Sequence, residues 1–519
     1  MIALTVLLVA AALAFGVARF TSVPPIPLLI LAGFVAALPL DLDGDILGDA
    51  LILGVSVLVF VAGVELSPDR VGRQKRVAIS VGSLQFAVLG AVGVAAGHLL
   101  GLGLEGSLYL GLALTASSTL VVVRILQQRQ QLFEPVGRMI TGVLLLQDLL
   151  LILLIPVVTR LPAGAAAVGV GLGSTLALVA LTIGIQRWVA PFVLRRLAFD
   201  DESLLLLVLT FLFAFIGLCV WLELPLVVGA FLAGVALSAF PVNALARGQL
   251  NSISKFFNAL FFTALGAFLP FPTLEILVQA VLLTGIVVVV TPPLVAVLAE
   301  RAGMTARPAL GGGLVLSQTS EFSLVVGLQA VALGQIADST FSVIVWVTVL
   351  SMTLTPFLAT DRVVWSLLRF HPTRRTDPRV DLPEGHMVLA GCGRSGREIL
   401  ELLRLGPHRI LAVDDDPATI DWLRQAGIEA LRGDITDPAV LRDAGVDRAR
   451  LVISTIRRTR DNELLLKQTV DRAPAFVRTF ESADAEWVEA QGGRPILFSE
   501  AAAEEFMEWF DTEFLAEDS

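Results

Sequence analysis

Apolar residues fill most of the first 370 positions in long blocks separated by short polar or proline-bearing intervals. The blocks fall at 2–18, 24–40, 46–64, 77–100, 106–126, 136–160, 165–186, 203–222, 224–240, 253–270, 274–298, 309–333 and 341–368. A bilayer-crossing helix takes about 20 such residues, so the pattern predicts about thirteen spans, with a very tight turn at 222–224. The pattern then changes. FHPTRRTDPRVDLPEGH, ending at 386, is polar and proline-rich and reads as a linker. Beyond it come short strands and helices up to about 499, then an acidic tail. The predicted organisation is a membrane part at 1–370, a linker at 371–386, an α/β domain at 387–499 and a tail at 500–519.

Polar residues inside the apolar blocks carry most of the functional information. The sixth block places Gln147 and Asp148 near its middle. An ionised carboxylate at that depth costs about 2.5–3.5 kcal/mol on insertion scales. Asn would fill almost the same volume without that cost, so the charge is expected to be used for ion or proton handling. The fifth block contains Thr115, Ser117, Ser118 and Thr119, and the twelfth contains Ser317, Gln318, Thr319, Ser320 and Glu321. Such clusters replace backbone hydrogen bonds where a helix is broken, and paired breaks in two halves mark transporter sites. Seven spans separate the two clusters, an odd number, so they run in opposite directions as an inverted repeat requires. Ser/Thr contacts between packed helices are the alternative. Half-helix carbonyls, the Gln147 amide oxygen and Asp148 could together replace the hydration shell of a monovalent cation. A single acid in the pair is neutralised by one proton or one cation, which predicts one-for-one, electroneutral exchange. Glu321, if it titrates, adds a proton to that count.

Charge adds orientation. Arg19, Arg70, Arg73, Lys75, Arg76, Arg124, Arg129, Arg138, Arg187, Arg195, Arg196, Arg247, Lys255, Arg301, Arg307, Arg362, Arg369, Arg374 and Arg375 all fall in or beside odd-numbered loops or after the last block. Arg160 is the exception. This alternation predicts an outside N-terminus and a cytoplasmic C-terminal half. Composition agrees with a membrane protein, with 55% hydrophobic and 16% charged residues among 519. The net charge of −10 is concentrated after about Arg369 and carries no nucleic-acid signature. Two cysteines and four histidines form no disulfide or zinc pattern.

The stretch HMVLAGCGRSGREILELLRLG presents a strand, a glycine-rich turn and a helix. Gly391, Gly393 and Gly396 match G-x-G-x-x-G, and the next strand ends in Asp414 about 20 residues on, where an acid holds ribose hydroxyls. Third and fourth strands end at Asp434 and near Thr455. No hydride-acceptor site or acid/base set accompanies this nucleotide motif, which points to a sensor rather than an NAD-dependent enzyme. A nucleotide-gated channel is a competing class, but no TVGYG filter occurs. An organic-anion carrier would place a basic residue near the breaks, and the basic residues of the fifth and sixth segments, Arg124, Arg138 and Arg160, stand at the segment ends instead.

GLALTASSTLVVVRILQQRQQL followed by GRMITGVLLLQD resembles the fifth and sixth helices of the monovalent cation:proton antiporter-2 family. GVELSP at 63–68, GAFLAGVALS at 229–238, LFFTALGAFL at 260–269 and LSQTSEFSLVV at 316–326 resemble further signatures in the same order. The Gln-Asp pair is the form seen in Kef-type potassium/proton exchangers. The resemblance implies a polytopic α-helical fold like NhaA and NapA, with inverted repeats and crossed broken helices. It also implies a homodimer in the bacterial inner membrane, Asp148 as carrier carboxylate, and K+ as substrate, with Na+ open. The C-terminal stretch resembles an RCK (TrkA-N) domain, implying a Rossmann-like fold that binds NAD(H) or AMP through Gly391, Gly393, Arg394, Ser395, Gly396, Asp414, Asp434 and Thr455. Kef-type proteins carry an acidic, His-containing segment before the tenth helix for glutathione gating. Here that region reads NALARGQLNSISKFF, which argues against glutathione control.

Overall fold

The computed structural model describes residues 2–21, 23–38, 44–65, 74–129, 131–189, 201–238, 242–368, 384–456 and 458–497, with 503, 504, 506, 507 and 510 of the tail. Most of the predicted linker and tail, and Arg70, Arg73, Arg195, Arg196, Arg369, Arg374 and Arg375, lie outside the described residues, as do the side chains of Arg247 and Arg394. Two compact units form. The first comprises 1–127, 132–298 and 310–364, and the second 128–131, 299–309 and 365–519.

The first unit is helical: α1 (Ile2–Phe20), α2 (Pro25–Ala37), α3 (Gly44–Glu65), α4 (Lys75–Leu99), α5 (Gly103–Thr115), α6 (Thr119–Gln128), α7 (Pro135–Arg160), α8 (Ala165–Gly184), α9 (Asp201–Trp221), α10 (Leu226–Ala236), α11 (Val242–Phe268), α12 (Leu274–Arg301), α13 (Ala306–Val315), α14 (Glu321–Ala332), α15 (Asp338–Leu358) and α16 (Asp361–Leu368). A helix or a broken pair lies on every predicted apolar block. Seven of these stretches are long and apolar enough to cross a membrane by length and composition.

Three departures stand out, two of them with a physical cause in view. The tenth helix begins at Val242, not near 253, because NALARGQLNS is helix-compatible although too polar to register as apolar. The last block divides between Leu358 and Asp361. Arg160, the exception to the charge pattern, caps α9: its guanidinium donates to the carbonyls of Leu222 at 3.2 Å and Glu223 at 2.7 Å. Glu223 has a φ of 55°, so the tight turn leaves carbonyls in need of a donor.

Glycines set the closest helix contacts. A methyl group at Gly33 of α2 would sit 1.9 Å from the Thr263 carbonyl oxygen of α11, and one at Gly266 would sit 1.9 Å from that of Ile30. Gly63 of α3 and Gly234 of α10 repeat the arrangement, with methyls 2.2 Å from Phe231 O and 2.1 Å from Phe60 O. Small residues let membrane helices touch backbone to backbone.

In the second unit, β1 (Met387–Ala390), β2 (Ile410–Asp414), β3 (Glu429–Arg432), β4 (Leu451–Ser454), β5 (Ala475–Thr479) and β6 (Arg494–Leu497) form one sheet. The order is β3-β2-β1-β4-β5-β6 and every pairing is parallel. Helices α17 (Arg394–Leu403), α18 (Pro417–Gln425), α19 (Pro438–Asp443), α20 (Thr459–Thr469) and α21 (Ser482–Ala490) connect the strands. Strands buried on both faces read as apolar runs, and β1 and β2 are such runs. The order reverses between β1 and β4, the switch point where ligands bind in such sheets.

Candidate ion site and nucleotide cleft

Both predicted helix breaks are present. Ala116 leaves the helical region at φ −100° and ψ 145°, and Ser320 does so at φ −96° and ψ 157°. The breaks meet: Ser117 Oγ donates to the Leu316 carbonyl at 2.7 Å, and Ser323 Oγ donates to that of Ala113. Helix α7 passes beside them. Gln147 and Asp148 are 0% and 4% exposed. Gln147 Oε1 accepts from the Ser117 backbone N–H at 3.1 Å, so its amide replaces a helical acceptor lost at the break. Thr119 Oγ1 donates to Asp148 Oδ2 at 3.1 Å, while Asp148 Oδ1 has no hydrogen-bond partner.

The predicted cluster residues divide by what they bond. Thr115 Oγ1 donates to Leu112 O, Ser317 Oγ donates to Leu314 O, and Ser118 Oγ accepts from Val121 N. These three serve their own backbone. Ser320 caps α14 by accepting from Phe322 N at 3.1 Å. Thr319 is held by α15 through Ser351 and Thr348. Gln318 donates to Val315 O and leaves Oε1 without a partner. Asp148, Thr119 and Glu321 instead share a cavity of about 370 Å³, lined also by Ser254, Lys255 and Asn258.

Those α11 residues were not singled out as site residues in the sequence, where Lys255 counted only as loop charge. Helix α11 begins three turns before Lys255, which carries that charge inside the helix and into the cavity wall. Ser254 and Asn258 are four apart and therefore on one face, and Asn258 Oδ1 has no partner. A polar pair at that spacing inside SISKFFNALFF was the available signal.

In the second unit the strand β1 runs into Gly391, whose φ of 83° favours glycine. Thr455 Oγ1, at the end of β4, donates to Gly391 O at 2.6 Å. A methyl at Gly396 would lie 2.1 Å from that same oxygen, whereas one at Gly393 would meet open space. The turn is thus closed on its inner side and open where phosphate approaches a helix N-terminus. Asp414 closes the turn from β2, accepting from the backbone N–H groups of Cys392 and Asp416. Burial pushes its carboxyl above the usual range, against the pull of those two donors. Gly391, Gly393, Ser395, Gly396, Asp414 and Thr455 are therefore compatible with the phosphate and ribose of a nucleotide: backbone donors for phosphate and an acid at the ribose position. Cys392 is fully buried, and burial beside Asp414 pushes its thiol up, away from the reactive thiolate.

Asp434 has a different neighbour from the one its motif position implies, Arg307 of the 299–309 segment of the same unit. Arg307 Nη1 donates to Asp434 Oδ2 at 3.0 Å and to Thr436 Oγ1 at 2.6 Å, and Nη2 reaches Asp461 Oδ1 at 2.9 Å. Arg458 holds the other Asp461 oxygen at 3.0 Å. The acids crowd: Asp415 is held well above the carboxylate range by desolvation and by Asp414 and Asp434. Arg307 supplies the counter-charge to two of the crowded acids, Asp434 and Asp461. Its partners lie 127 and 154 positions away, which local sequence cannot reveal. Arg307→Ala should lower stability by about 3 kcal/mol, since it strands buried charge, read as a lower unfolding temperature of the full chain. Arg307→Lys should restore only part, because one ammonium lacks the guanidinium fork.

A family model described as sodium/hydrogen exchanger, transmembrane, matches residues 4–360. The chain belongs to this exchanger family. It is a multi-pass membrane protein followed by a TrkA-N domain that matches residues 387–505. The glutathione-regulated potassium-efflux system protein KefC of Salmonella schwarzengrund is 28% identical to the exchanger over 416 residues, 78% of this chain and 66% of that protein. The protein of the same name from Shigella flexneri serotype 5b is 26% identical over 432 residues, 81% and 69% of the two. The exchanger thus spans about two thirds of the length of the curated relatives it matches. Among solved structures, the TrkA-N domain of the inner membrane protein YbaL of Escherichia coli is 19% identical, covering 25% of this chain and 98% of that one, with a TM-score of 0.24.

Proposed function

We propose that this exchanger trades potassium for protons across the bacterial inner membrane, one for one, as a homodimer whose cytoplasmic TrkA-N domains are switched by NAD(H) or AMP. The observation that carries the reading is Asp148: a carboxylate with one oxygen held by Thr119 and the other without a partner, in a cavity where two helix breaks meet. A proton or a bare cation completes it. Lys255 and Glu321 line the same cavity and offset one another in charge, leaving Asp148 as the uncompensated group. Loading by either ion makes the site neutral, and a neutral site crosses a low-dielectric core at lower cost than a charged one. The potassium assignment follows the naming of the relatives; the family name points to sodium, and an ion series decides between them.

The test is proton flux in proteoliposomes with potassium, sodium or lithium outside. Potassium should drive the fastest exchange, and an imposed voltage of 100 mV should change turnover by less than about twofold, since net charge movement would be worth about 2.3 kcal/mol per charge. Steep voltage dependence would remove the one-for-one stoichiometry. Proton flux without any coupled cation would remove antiport altogether.

A further inference from the structure

Gln85 lies mid-way along α4, a helix otherwise apolar around it, and is 0% exposed. Neither its Oε1 nor its Nε2 has a hydrogen-bond partner. Its place follows from its neighbours on the buried stripe that also carries Gly82, Leu89 and Gly93. A methyl at Gly82 would sit 3.1 Å from Leu146 Cδ2 and 3.4 Å from Val143 Cα of α7. One at Gly90 would sit 3.2 Å from Thr115 Cγ2, at the end of α5. Gln85 is about 4.5 Å along the axis from the first contact and about 7.5 Å from the second. Along the α4 axis it therefore lies between the glycine that packs on α7 at Val143 and Leu146, just before Gln147, and the glycine that packs on the end of α5.

A leucine or methionine would fill that space, and a buried amide with nothing to bond is less stable than an apolar group of the same shape. Gln147 shows the complementary lack: Oε1 is engaged by the break, and Nε2 has no partner. A buried water needs two to four polar partners, and the two Gln85 atoms with Gln147 Nε2 supply three.

We propose that Gln85 is a positioning residue of the ion site, holding Gln147 through one water molecule so that the Gln147 carbonyl stays aimed at the break. A fixed amide presents the arriving cation with a fixed set of oxygens, so Gln85 acts on cation affinity and preference rather than on proton transfer. The inference rests on the antiport reading.

The full-length chain carrying Gln85→Leu, with Gln85→Met as a second variant of closer shape, is assayed in proteoliposomes. Half-saturation by potassium is expected to rise about tenfold, or the potassium-to-sodium preference to fall by as much, equivalent to about 1.4 kcal/mol. Maximal rate and pH profile should stay within about twofold, and the unfolding temperature should stay close to that of the parent, since an apolar side chain of similar shape replaces the amide and packs in its place. Unchanged half-saturation and preference in a folded variant would overturn the proposal. So would a kinetic change accompanied by a lower unfolding temperature, or failure of both variants to fold, since either makes Gln85 a packing residue. Asp148→Asn run alongside separates the two ideas: if it still exchanges ions, antiport at this site fails, and if it is inactive while Gln85→Leu is silent, only the Gln85 proposal fails.

Discussion

Asp148→Asn should abolish cation-driven proton flux, with a loss of at least about 100-fold, or about 2.7 kcal/mol in barrier. The amide has nearly the same shape, so the contact with Thr119 and the packing of α7 survive. What it lacks is a proton to exchange and a charge to offer a cation. The variant should insert normally and melt at or above the parent temperature, because a buried carboxylate has been replaced by a neutral group. Thr119→Val should do much less, since it removes one donor from one oxygen and leaves the other untouched. An Asp148→Asn protein that trades ions at the parental rate would leave the crossing of the two breaks without a carrier.

The second large effect belongs to the glycine turn. Gly396→Ala places a methyl 2.1 Å from the Gly391 carbonyl oxygen and 3.1 Å from Thr455 Oγ1. Backbone must move, at a cost of about 1–3 kcal/mol, and the amide groups that would face phosphate move with it. Nucleotide affinity of the full-length chain should fall at least about 100-fold in calorimetric titration with NADH or AMP, and ion flux should lose its response to either. Gly393→Ala is the informative contrast. Its methyl enters open space, so the domain should melt unchanged while nucleotide binding weakens. If Gly393→Ala binds nucleotide as the parent does, the open side of the turn is not where phosphate lies.

Much of this architecture was legible in the chain because it rests on local signals. The two polar clusters marked both breaks, since an interrupted membrane helix must satisfy its freed backbone groups nearby. The glycine triad and the acid at the end of the second strand were legible for the same reason: each answers a backbone constraint within about 25 residues. The roles of individual hydroxyls were not legible. Thr115, Ser118 and Ser317 bond their own segments while Ser117 and Thr119 bond groups on other segments, and nothing in TASST distinguishes them before the chain is bent. Pairings at long range were also hidden. Arg307 reads as one more basic loop residue, and Lys255 as a charge before a helix, until α11 is seen to begin at Val242. Gln85 escaped because one amide in an apolar helix resembles tolerated surface polarity.

The reciprocal glycines of α2 with α11 and of α3 with α10 bear on how ions are passed from one side to the other. With carbonyl oxygens where methyls would otherwise be, neither pair can slide without driving backbone into backbone. Gly54 of α3 joins the pairs, since a methyl there would sit 2.6 Å from Phe261 Cβ and 3.3 Å from Phe257 O of α11, so the four helices form one stiff board. On the antiport reading, alternating exposure of the carboxylate comes from motion along the board's edge, against the helices that carry the breaks, and a cross-link inside the board should leave turnover intact.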